Sequence, residues 1–307
     1  MARTRFVGDA GLTARMTLVM FLLGGLFVAL IVGLMYAFRG SGLAILIGLG
    51  GIGFAVYQWY SSDKVAMRAM RAREVSPQEA PELHGMIDRL CALADMPKPR
   101  VGIADTSVPN AFATGRSPDR AVVCVTTGIL HTLTAEELEA VIAHELSHVA
   151  HRDVLVMTVA ASAGITAGML AQGAQYGAFF GGGRRDNNNS NGLPIWLVVL
   201  LVSVVVYAVS FVLLRVLSRY RELAADRAGA HLTMKPGALA SALQKISGEM
   251  ATIPQRDLRQ VSAASALCIT PALSGSSFGS MFSTHPSLEK RLEQLARIQA
   301  ELGRPTA

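Results

Sequence analysis

The amino-acid sequence predicts a mainly α-helical integral membrane protein with four transmembrane helices and a water-facing α+β part that carries a small β-hairpin. Hydrophobic residues make up 51% of the 307 residues, and the mean hydropathy is +0.39. Charged residues contribute 16%, against about 25% in an ordinary soluble domain. The charges are unevenly distributed, because long uncharged stretches alternate with stretches of ordinary globular composition. The composition therefore excludes a disordered chain and argues against a wholly soluble enzyme.

Four apolar segments are long enough to cross the hydrocarbon core of a bilayer, which requires about 20 residues in a helix. They run from Thr17 to Phe38, from Leu43 to about Tyr60, from Val154 to Phe180, and from Ile195 to about Leu214. The third segment consists largely of Ala, Gly and Thr, and its Gly-xxx-Gly spacings allow helices to pack closely in lipid. Its low hydrophobicity leaves a re-entrant segment as the alternative.

Basic residues flank these apolar segments. The sequence has 28 Lys and Arg against 22 Asp and Glu, a net charge of +6, but the basic residues form no stripe interleaved with aromatics, so we expect no nucleic-acid binding. They lie instead before the first segment, after the second and after the fourth: Arg3, Arg5, Arg15; Lys64, Arg68, Arg71, Arg73; Arg215, Arg219, Arg221. Because cytoplasmic flanks carry the excess of Lys and Arg, this pattern predicts that both termini and the water-facing parts lie in the cytoplasm.

The predicted organisation has four parts. Residues 1–60 form paired transmembrane helices, and residues 61–153 form a first cytoplasmic portion. Residues 154–217 form a transmembrane hairpin, and residues 218–307 form a cytoplasmic, helical C-terminal portion. The two cytoplasmic portions are thus separated in sequence by a membrane hairpin and face the same compartment.

The first cytoplasmic portion contains a helix start and a β-hairpin. Ser76-Pro77-x-Glu79 has Ser as N-cap, Pro at the first helical position and Glu three residues after the cap, so it predicts a helix beginning there. Two runs of strand-forming residues follow, at 110–115 (NAFATG) and 121–126 (AVVCVT). The Ser117-Pro118-Asp119 turn between them indicates a hairpin.

The three cysteines do not suggest a disulfide framework. Their number is odd and their spacing shows no pairs, which also excludes a cysteine-based metal site: Cys91, Cys124, Cys268. We expect reduced thiols in a protein that faces the cytosol.

The next predicted helix carries the clearest chemical signal. It begins at the capping box Thr134-Ala135-Glu136-Glu137 and contains His144-Glu145-Leu146-Ser147-His148. Histidines four residues apart lie about 40° apart around a helix axis, so both imidazoles can bind one Zn²⁺. Glu145 lies beside that metal and can accept a proton from bound water, which is the chemistry of H-E-x-x-H zinc metalloproteases. The alternative is a helix whose histidines are satisfied by neighbouring groups.

His151, three residues after His148, is the nearest further histidine. It stands with Arg152 and Asp153 at the expected helix end and membrane boundary. We therefore expect His151 to be an interfacial residue rather than a metal ligand.

A catalytic zinc site requires a third protein ligand and an open position. The segment 218–226 (SRYRELAAD) follows the fourth apolar segment, and it places Glu222 and Asp226 on one helical face. These carboxylates form either a solvated face paired with Arg219 and Arg221 or part of the metal site. Since the H-E-x-x-H helix offers no nearby third ligand, Glu222 is the best candidate, and we expect Asp226 to orient a ligand histidine.

Five motifs together resemble the HtpX family of membrane zinc metalloproteases, which are relatives of the CAAX prenyl endopeptidases: NAFATG, TTGIL, HELSH, RELAAD and THPSLEKR. The resemblance covers most of the chain, from the paired N-terminal segments to the region of His285. It implies a zincin-like, gluzincin-type metalloprotease domain with one Zn²⁺ per chain. In that domain His144, His148 and Glu222 bind the zinc and Glu145 is the general base.

The resemblance also implies supporting residues. The NAFATG strand would bind the substrate backbone as an edge strand, with Asn110 near the site. His285 and Arg291, in HPSLEKR, would lie near the active site and steady the tetrahedral intermediate.

The implied activity is proteolysis by a multi-pass protein of the bacterial inner membrane, with its active site facing the cytoplasm. The implied substrates are misfolded or damaged membrane proteins and unfolded polypeptides, cleaved as quality control under stress. The rival function is a non-catalytic, zinc-stabilised membrane scaffold or adaptor, but a structural zinc site needs no Glu145 and usually has four Cys or His ligands. A transporter is disfavoured because none of the four apolar segments contains an ionisable residue.

Overall fold

The computed structural model describes residues 6, 8–37, 43–153, 195–252 and 286–303. The chain divides into two compact units. The first unit comprises Met1–Ala14, Ser61–Leu155 and Arg215–Ala307, and the second comprises Arg15–Tyr60 and Val156–Leu214. The expected third transmembrane helix, at 154–180, lies outside the described residues, as do Cys268 and His285.

Long apolar helices characterise the second unit. Among the described residues, two helices are long and apolar enough to cross a membrane, over Ala10–Tyr36 and Val199–Thr233. They belong to α1 (Ala10–Ala37) and α6 (Ile195–Thr233), and a further helix, α2 (Leu43–Ala69), covers the second apolar segment of the sequence. The described residues therefore support two of the four transmembrane helices that we expected.

The outer faces of α1 and α6 are apolar. Phe21 of α1 is 79% exposed and Val205 of α6 is 59% exposed, whereas Leu30, Leu34 and Val206 are buried together between these two helices. Large apolar side chains on an outer face are typical of helices whose surroundings are lipid.

A four-stranded mixed sheet lies in the first unit. Its strands are β1 (Ala72–Glu74), β2 (Arg100–Ala104), β3 (Ala111–Thr114) and β4 (Val122–Thr126), in the order β1-β2-β4-β3. The predicted hairpin is confirmed, since β3 pairs antiparallel with β4 and Phe112 is opposite Cys124. Strands β1 and β2 were not expected: β1 is short and has no alternating pattern, and β2 pairs in parallel with β4, which no local sequence pattern indicates.

The helix predicted to begin at Ser76 starts later. Helix α3 spans Pro81–Ala94, and the residue before it, Ala80, has non-helical φ and ψ of −141° and 63°. The Glu79 side chain does accept a hydrogen bond from the Ser76 backbone N–H at 2.7 Å, as a capping box requires. The helical conformation is disfavoured for a residue that precedes proline, so Pro81 ends this first turn and starts the helix anew.

Helix α5 (Ala135–Ala150) lies at the centre of the first unit. The short helix α4 (Thr127–Thr132) precedes it, and α5 packs against the sheet, α3 and α7 (Pro236–Thr252). Helix α8 (Leu288–Leu302) packs in turn on α7. The core between them consists of aliphatic side chains that are fully buried, among them Ile87, Leu90, Val123, Val141, Ile142, Leu146, Leu239, Leu243 and Leu295.

The predicted capping box of α5 is confirmed. The Glu137 carboxylate accepts from the Thr134 N–H at 2.8 Å, and the Thr134 hydroxyl accepts from the Glu137 N–H at 3.4 Å. The same carboxylate also accepts hydrogen bonds from the Ser241 hydroxyl at 2.6 Å and from Lys245 Nζ at 2.8 Å, both on α7. Burial acts to raise the pKa of Glu137, but these hydrogen bonds outweigh it and lower the pKa to about 2. The hydrogen bonds of Glu137 therefore connect the first turn of α5 to α7.

Two of the three cysteines are described, and both are buried free thiols, as expected: Cys91 and Cys124. Burial raises the pKa of Cys91 to about 11 and that of Cys124 to about 12. Both thiols therefore stay protonated at neutral pH.

Candidate metal centre

Three buried side chains from two separate segments meet in the first unit. His144 and His148 come from α5, and Glu222 comes from α6. One donor atom of each lies within 4.8 Å of the other two. Glu222 Oε2 is 3.6 Å from His144 Nε2, and Glu222 Oε1 is 3.6 Å from His148 Nε2. Ligand atoms about 2.0–2.1 Å from a tetrahedral Zn²⁺ lie roughly 3.4 Å from one another, so these separations fit a zinc site.

A glycine lets the two helices approach. Gly229 is one turn after Asp226 and two turns after Glu222 on the same face of α6. A Cβ at position 229 would lie 2.9 Å from the backbone nitrogen of His144 and 3.1 Å from its Cα. Only glycine therefore permits this contact between α6 and α5, and the contact brings the carboxylates of α6 to the histidines.

A buried carboxylate of α6, Asp226, lies beside His144. Asp226 Oδ1 lies 3.0 Å from His144 Nδ1, and both side chains are buried. Arg291 of α8 donates two hydrogen bonds to Asp226, from Nε and from Nη2, each at 2.7 Å. Burial acts to lower the pKa of Arg291, but the ion pair with Asp226 outweighs it and raises the pKa above its usual range. The guanidinium group of Arg291 therefore holds the Asp226 carboxylate.

A second buried carboxylate, which we did not predict from the sequence, lies beside His148. Asp153 Oδ2 lies 2.8 Å from His148 Nδ1, and Arg221 Nε lies 3.0 Å from the same oxygen. We had expected Asp153 at the membrane boundary and Arg221 as a flanking charge, but Asp153 is 1% exposed and belongs to the site. Burial acts to raise the pKa of Asp153, and Arg221 and His148 lower it below its usual range. The sequence did contain one indication of this contact, because Asp153 is a carboxylate five residues after the second histidine of H-E-x-x-H.

The charges of the cluster favour a divalent cation. Four carboxylates face two guanidinium groups, so the cluster is negative when its histidines are neutral: Glu145, Asp153, Glu222 and Asp226 against Arg221 and Arg291. Burial acts to lower the pKa of His144, but Asp226 and Glu222 outweigh it and raise the pKa to about 9. The site thus attracts positive charge. His144 Nε2 is also buried, and the carboxylate oxygen that faces it, Glu222 Oε2, lies 3.6 Å away, beyond hydrogen-bonding distance.

Glu145 lies on α5 between the two histidines and is 4% exposed. Burial raises the pKa of its carboxyl group above the usual range, although both histidines act in the opposite direction. The two histidines and this carboxylate are therefore held on one helix.

The remaining predicted residues lie at the border of the site or beyond it. Asn110 is buried just before β3, where its backbone N–H donates to the Thr126 hydroxyl and its carbonyl accepts from the Thr126 N–H, both at 2.9 Å. His151 is the C-cap of α5, and its ring centroid is 6.3 Å from that of Phe6. His285 lies outside the described residues.

Comparisons with known proteins agree with this geometry. A family model described as peptidase family M48 matches residues 77–299. Protease HtpX homolog 1 of Streptomyces coelicolor is 52% identical over 306 residues, which cover 99% of this chain and 98% of that protein. The protease HtpX homolog of Moorella thermoacetica is 52% identical over 304 residues, 98% of each chain.

Among solved structures, the crystal structure of S. mikatae Ste24p resembles this chain with a TM-score of 0.50. The sequence identity is 14%, and the match covers 92% of this chain and 65% of that one. This likeness concerns the fold alone.

Proposed function

Because this chain belongs to peptidase family M48 and is an HtpX-type metalloprotease, we propose that it is a zinc endopeptidase that binds the metal through His144, His148 and Glu222. The observation that carries this proposal is the convergence of their three buried donor atoms within 4.8 Å. Two imidazoles and a carboxylate form a ligand set that zinc prefers, and three protein ligands leave an open position for catalysis. A bound Zn²⁺ would acidify water and polarise the scissile carbonyl.

Glu145 is the proposed general base. It is buried on the same helix as both histidines, so its carboxylate stays beside the water that attacks the peptide bond. Glu145 accepts a proton from this water and passes it to the leaving nitrogen, a role that needs a carboxylate able to gain and lose a proton. Asp226 holds Nδ1 of His144, which leaves Nε2 facing Glu222 and the metal.

The free edge of β3 is the proposed binding site for the substrate backbone. In the described sheet β3 pairs on one side only, with β4, and α5 packs against it. An extended peptide can add to such an edge through backbone hydrogen bonds, and Asn110 would stand at the start of that edge. The geometry favours Arg291 as the group that holds Asp226, and the role of His285 at the tetrahedral intermediate stays a prediction.

The proposed location is the bacterial inner membrane, with four transmembrane helices and the site on the cytoplasmic side. Two apolar helices and the basic residues beside them support this orientation. Glu222 lies on the same helix as the second candidate span, which supports substrates that are themselves in the membrane. Misfolded or damaged membrane proteins and unfolded polypeptides are the proposed substrates, and their removal under stress is the proposed role.

Full-length protein purified in detergent tests this function. We expect one zinc per chain and cleavage of casein, with cleavage abolished by a chelator and restored by added zinc. Stoichiometric zinc without any cleavage would favour the rival function, a zinc-stabilised scaffold. Cleavage that persists after complete removal of metal would contradict the proposed chemistry.

A further inference from the structure

We propose that Asp153, held by Arg221, is a positioning residue for His148, in the way that Asp226, held by Arg291, positions His144. The inference rests on the proposed metal site and adds two residues to it. Neither belongs to the H-E-x-x-H motif, and neither is a candidate metal ligand.

The geometry assigns a specific ring nitrogen to each contact. Asp153 Oδ2 is 2.8 Å from His148 Nδ1, while His148 Nε2 faces Glu222 Oε1 at 3.6 Å. When Nδ1 donates its proton to Asp153, Nε2 carries the lone pair that binds the metal. A carboxylate in this place fixes the tautomer and the ring orientation and makes the imidazole a stronger ligand.

Arg221 pairs with this carboxylate. An ionised carboxylate that is 1% exposed is costly unless a cation pairs with it, and Arg221 Nε lies 3.0 Å from Asp153 Oδ2. Arg221 therefore holds the Asp153 carboxylate in place against His148.

The two histidine–aspartate–arginine chains differ in one respect. Both arginines lie 3.9 Å from the Glu222 carboxylate, but Arg291 comes from α8, whereas Arg221 is adjacent to Glu222 on α6. The pair of Asp153 and Arg221 therefore also joins the end of α5 to the helix that supplies the third ligand. Loss of this ion pair should therefore disturb the positions of two of the three proposed ligands, His148 and Glu222.

Zinc affinity of the full-length protein in detergent, measured by competition with a chelating indicator, tests this proposal. Asp153→Asn keeps the shape and removes the charge, and Arg221→Gln removes the counter-charge. We expect each variant to bind zinc about 10–100-fold more weakly than the wild type. The double variant should bind no more weakly than the worse single variant, because either change breaks the same chain of contacts.

A merely structural ion pair would act differently. If Asp153 and Arg221 position a ligand, the variants should lose casein cleavage at limiting zinc and regain it when zinc is in excess, whereas a folding defect would not respond to zinc. Arg221→Lys, which keeps the charge, should fall between wild type and Arg221→Gln. The matched control is Asp88→Asn, an exposed aspartate paired with Lys98, which should bind zinc as wild type does.

Wild-type zinc affinity in both Asp153→Asn and Arg221→Gln would overturn the inference. It would also be overturned if their affinity fell only in step with the unfolding temperature of the chelator-treated protein. The ligand set itself is tested separately by His144→Ala and Glu222→Ala. If these two variants keep one zinc per chain, the proposed metal site fails; if they lose zinc while Asp153→Asn does not change, only the positioning role fails.

Discussion

Gly229 of α6 lies against the backbone of His144 in α5, and a Cβ at position 229 would stand 2.9 Å from the His144 nitrogen. Backbone atoms at that distance cannot give way as the end of a flexible side chain can. Because Glu222 and Asp226 precede Gly229 on the same face of α6, this contact determines how closely both carboxylates approach the histidines.

Gly229→Ala should therefore weaken the site. Alanine is the better helix former by about 1 kcal/mol, yet here the added methyl group must push α6 away from α5. We expect lower zinc affinity, loss of most casein cleavage and a lower unfolding temperature. Gly248→Ala on α7 is the control, since nothing lies within 4 Å of its Cβ and it should be as stable as wild type or more so. Wild-type affinity and cleavage in Gly229→Ala would show that the contact does not set the ligand geometry.

Glu222 and Asp226 should respond differently to substitution. Glu222→Ala removes a proposed ligand and should purify with little metal at stoichiometric zinc. Asp226→Asn should still hold the metal, with affinity or activity reduced roughly 10–100-fold, because it acts through His144. Metal content by elemental analysis, alongside casein cleavage, separates the two roles.

Asp226 and His285 are the two competitors of Glu222 for the third ligand position. His285→Ala should keep full metal and lose turnover by up to about 10²–10³-fold, as for a lost oxyanion donor. Should Glu222→Ala keep one zinc per chain while His285→Ala loses it, the third ligand is His285.

Glu137→Gln should destabilise the fold in a pH-dependent way. The native contacts lower the pKa of Glu137 from 4.5 to about 2, so its contribution is complete above pH 4.5 and disappears as the pH falls toward 2. Loss of a hydrogen-bonded charge should cost about 1.5–3 kcal/mol at neutral pH. The difference in melting temperature from wild type should shrink as the pH falls below about 4.5. Glu136→Gln, 71% exposed in its pair with Lys235, is the control and should change little at any pH.

The site residues that could be predicted are those whose signal is local. The four-residue spacing of His144 and His148 fixes their common face, the need for a third ligand pointed to Glu222, and the resemblance to a known family pointed to Arg291. Asp153 and Arg221 were missed because polar residues next to an apolar segment are expected there for topology alone. Their contact joins α5 to α6 across a long stretch of sequence, and no local pattern encodes it.

The elements of the fold that could be predicted are likewise those that depend on local sequence. The hairpin of β3 and β4 and the capping box at Thr134 depend on neighbouring residues and were predicted correctly. Strand β2 pairs with β4 in parallel, so its partner is distant in sequence. The predicted hydrogen bond between Ser76 and Glu79 does form, but the helix begins only at Pro81.

Reporter fusions should locate the water-facing parts. The basic residues that flank the apolar segments predict a cytoplasmic signal from fusions at Met70 and at Ala240, and the opposite signal from a fusion at Asn187. Enzymatic reporters that are active on one side of the membrane provide the measurement. A cytoplasmic signal at Asn187 would mean that the third and fourth apolar segments do not form a spanning hairpin.

Glu145→Gln isolates the role of Glu145 as the base of a zinc protease built on His144, His148 and Glu222. Glutamine keeps the size of the side chain but cannot accept the proton, so cleavage should fall by at least about 10²-fold. Zinc content and casein cleavage are measured on the same preparation beside wild type. We expect one zinc per chain in both proteins and cleavage by wild type alone. A zinc-loaded Glu145→Gln protein that keeps more than a few per cent of wild-type cleavage would rule out Glu145 as the base.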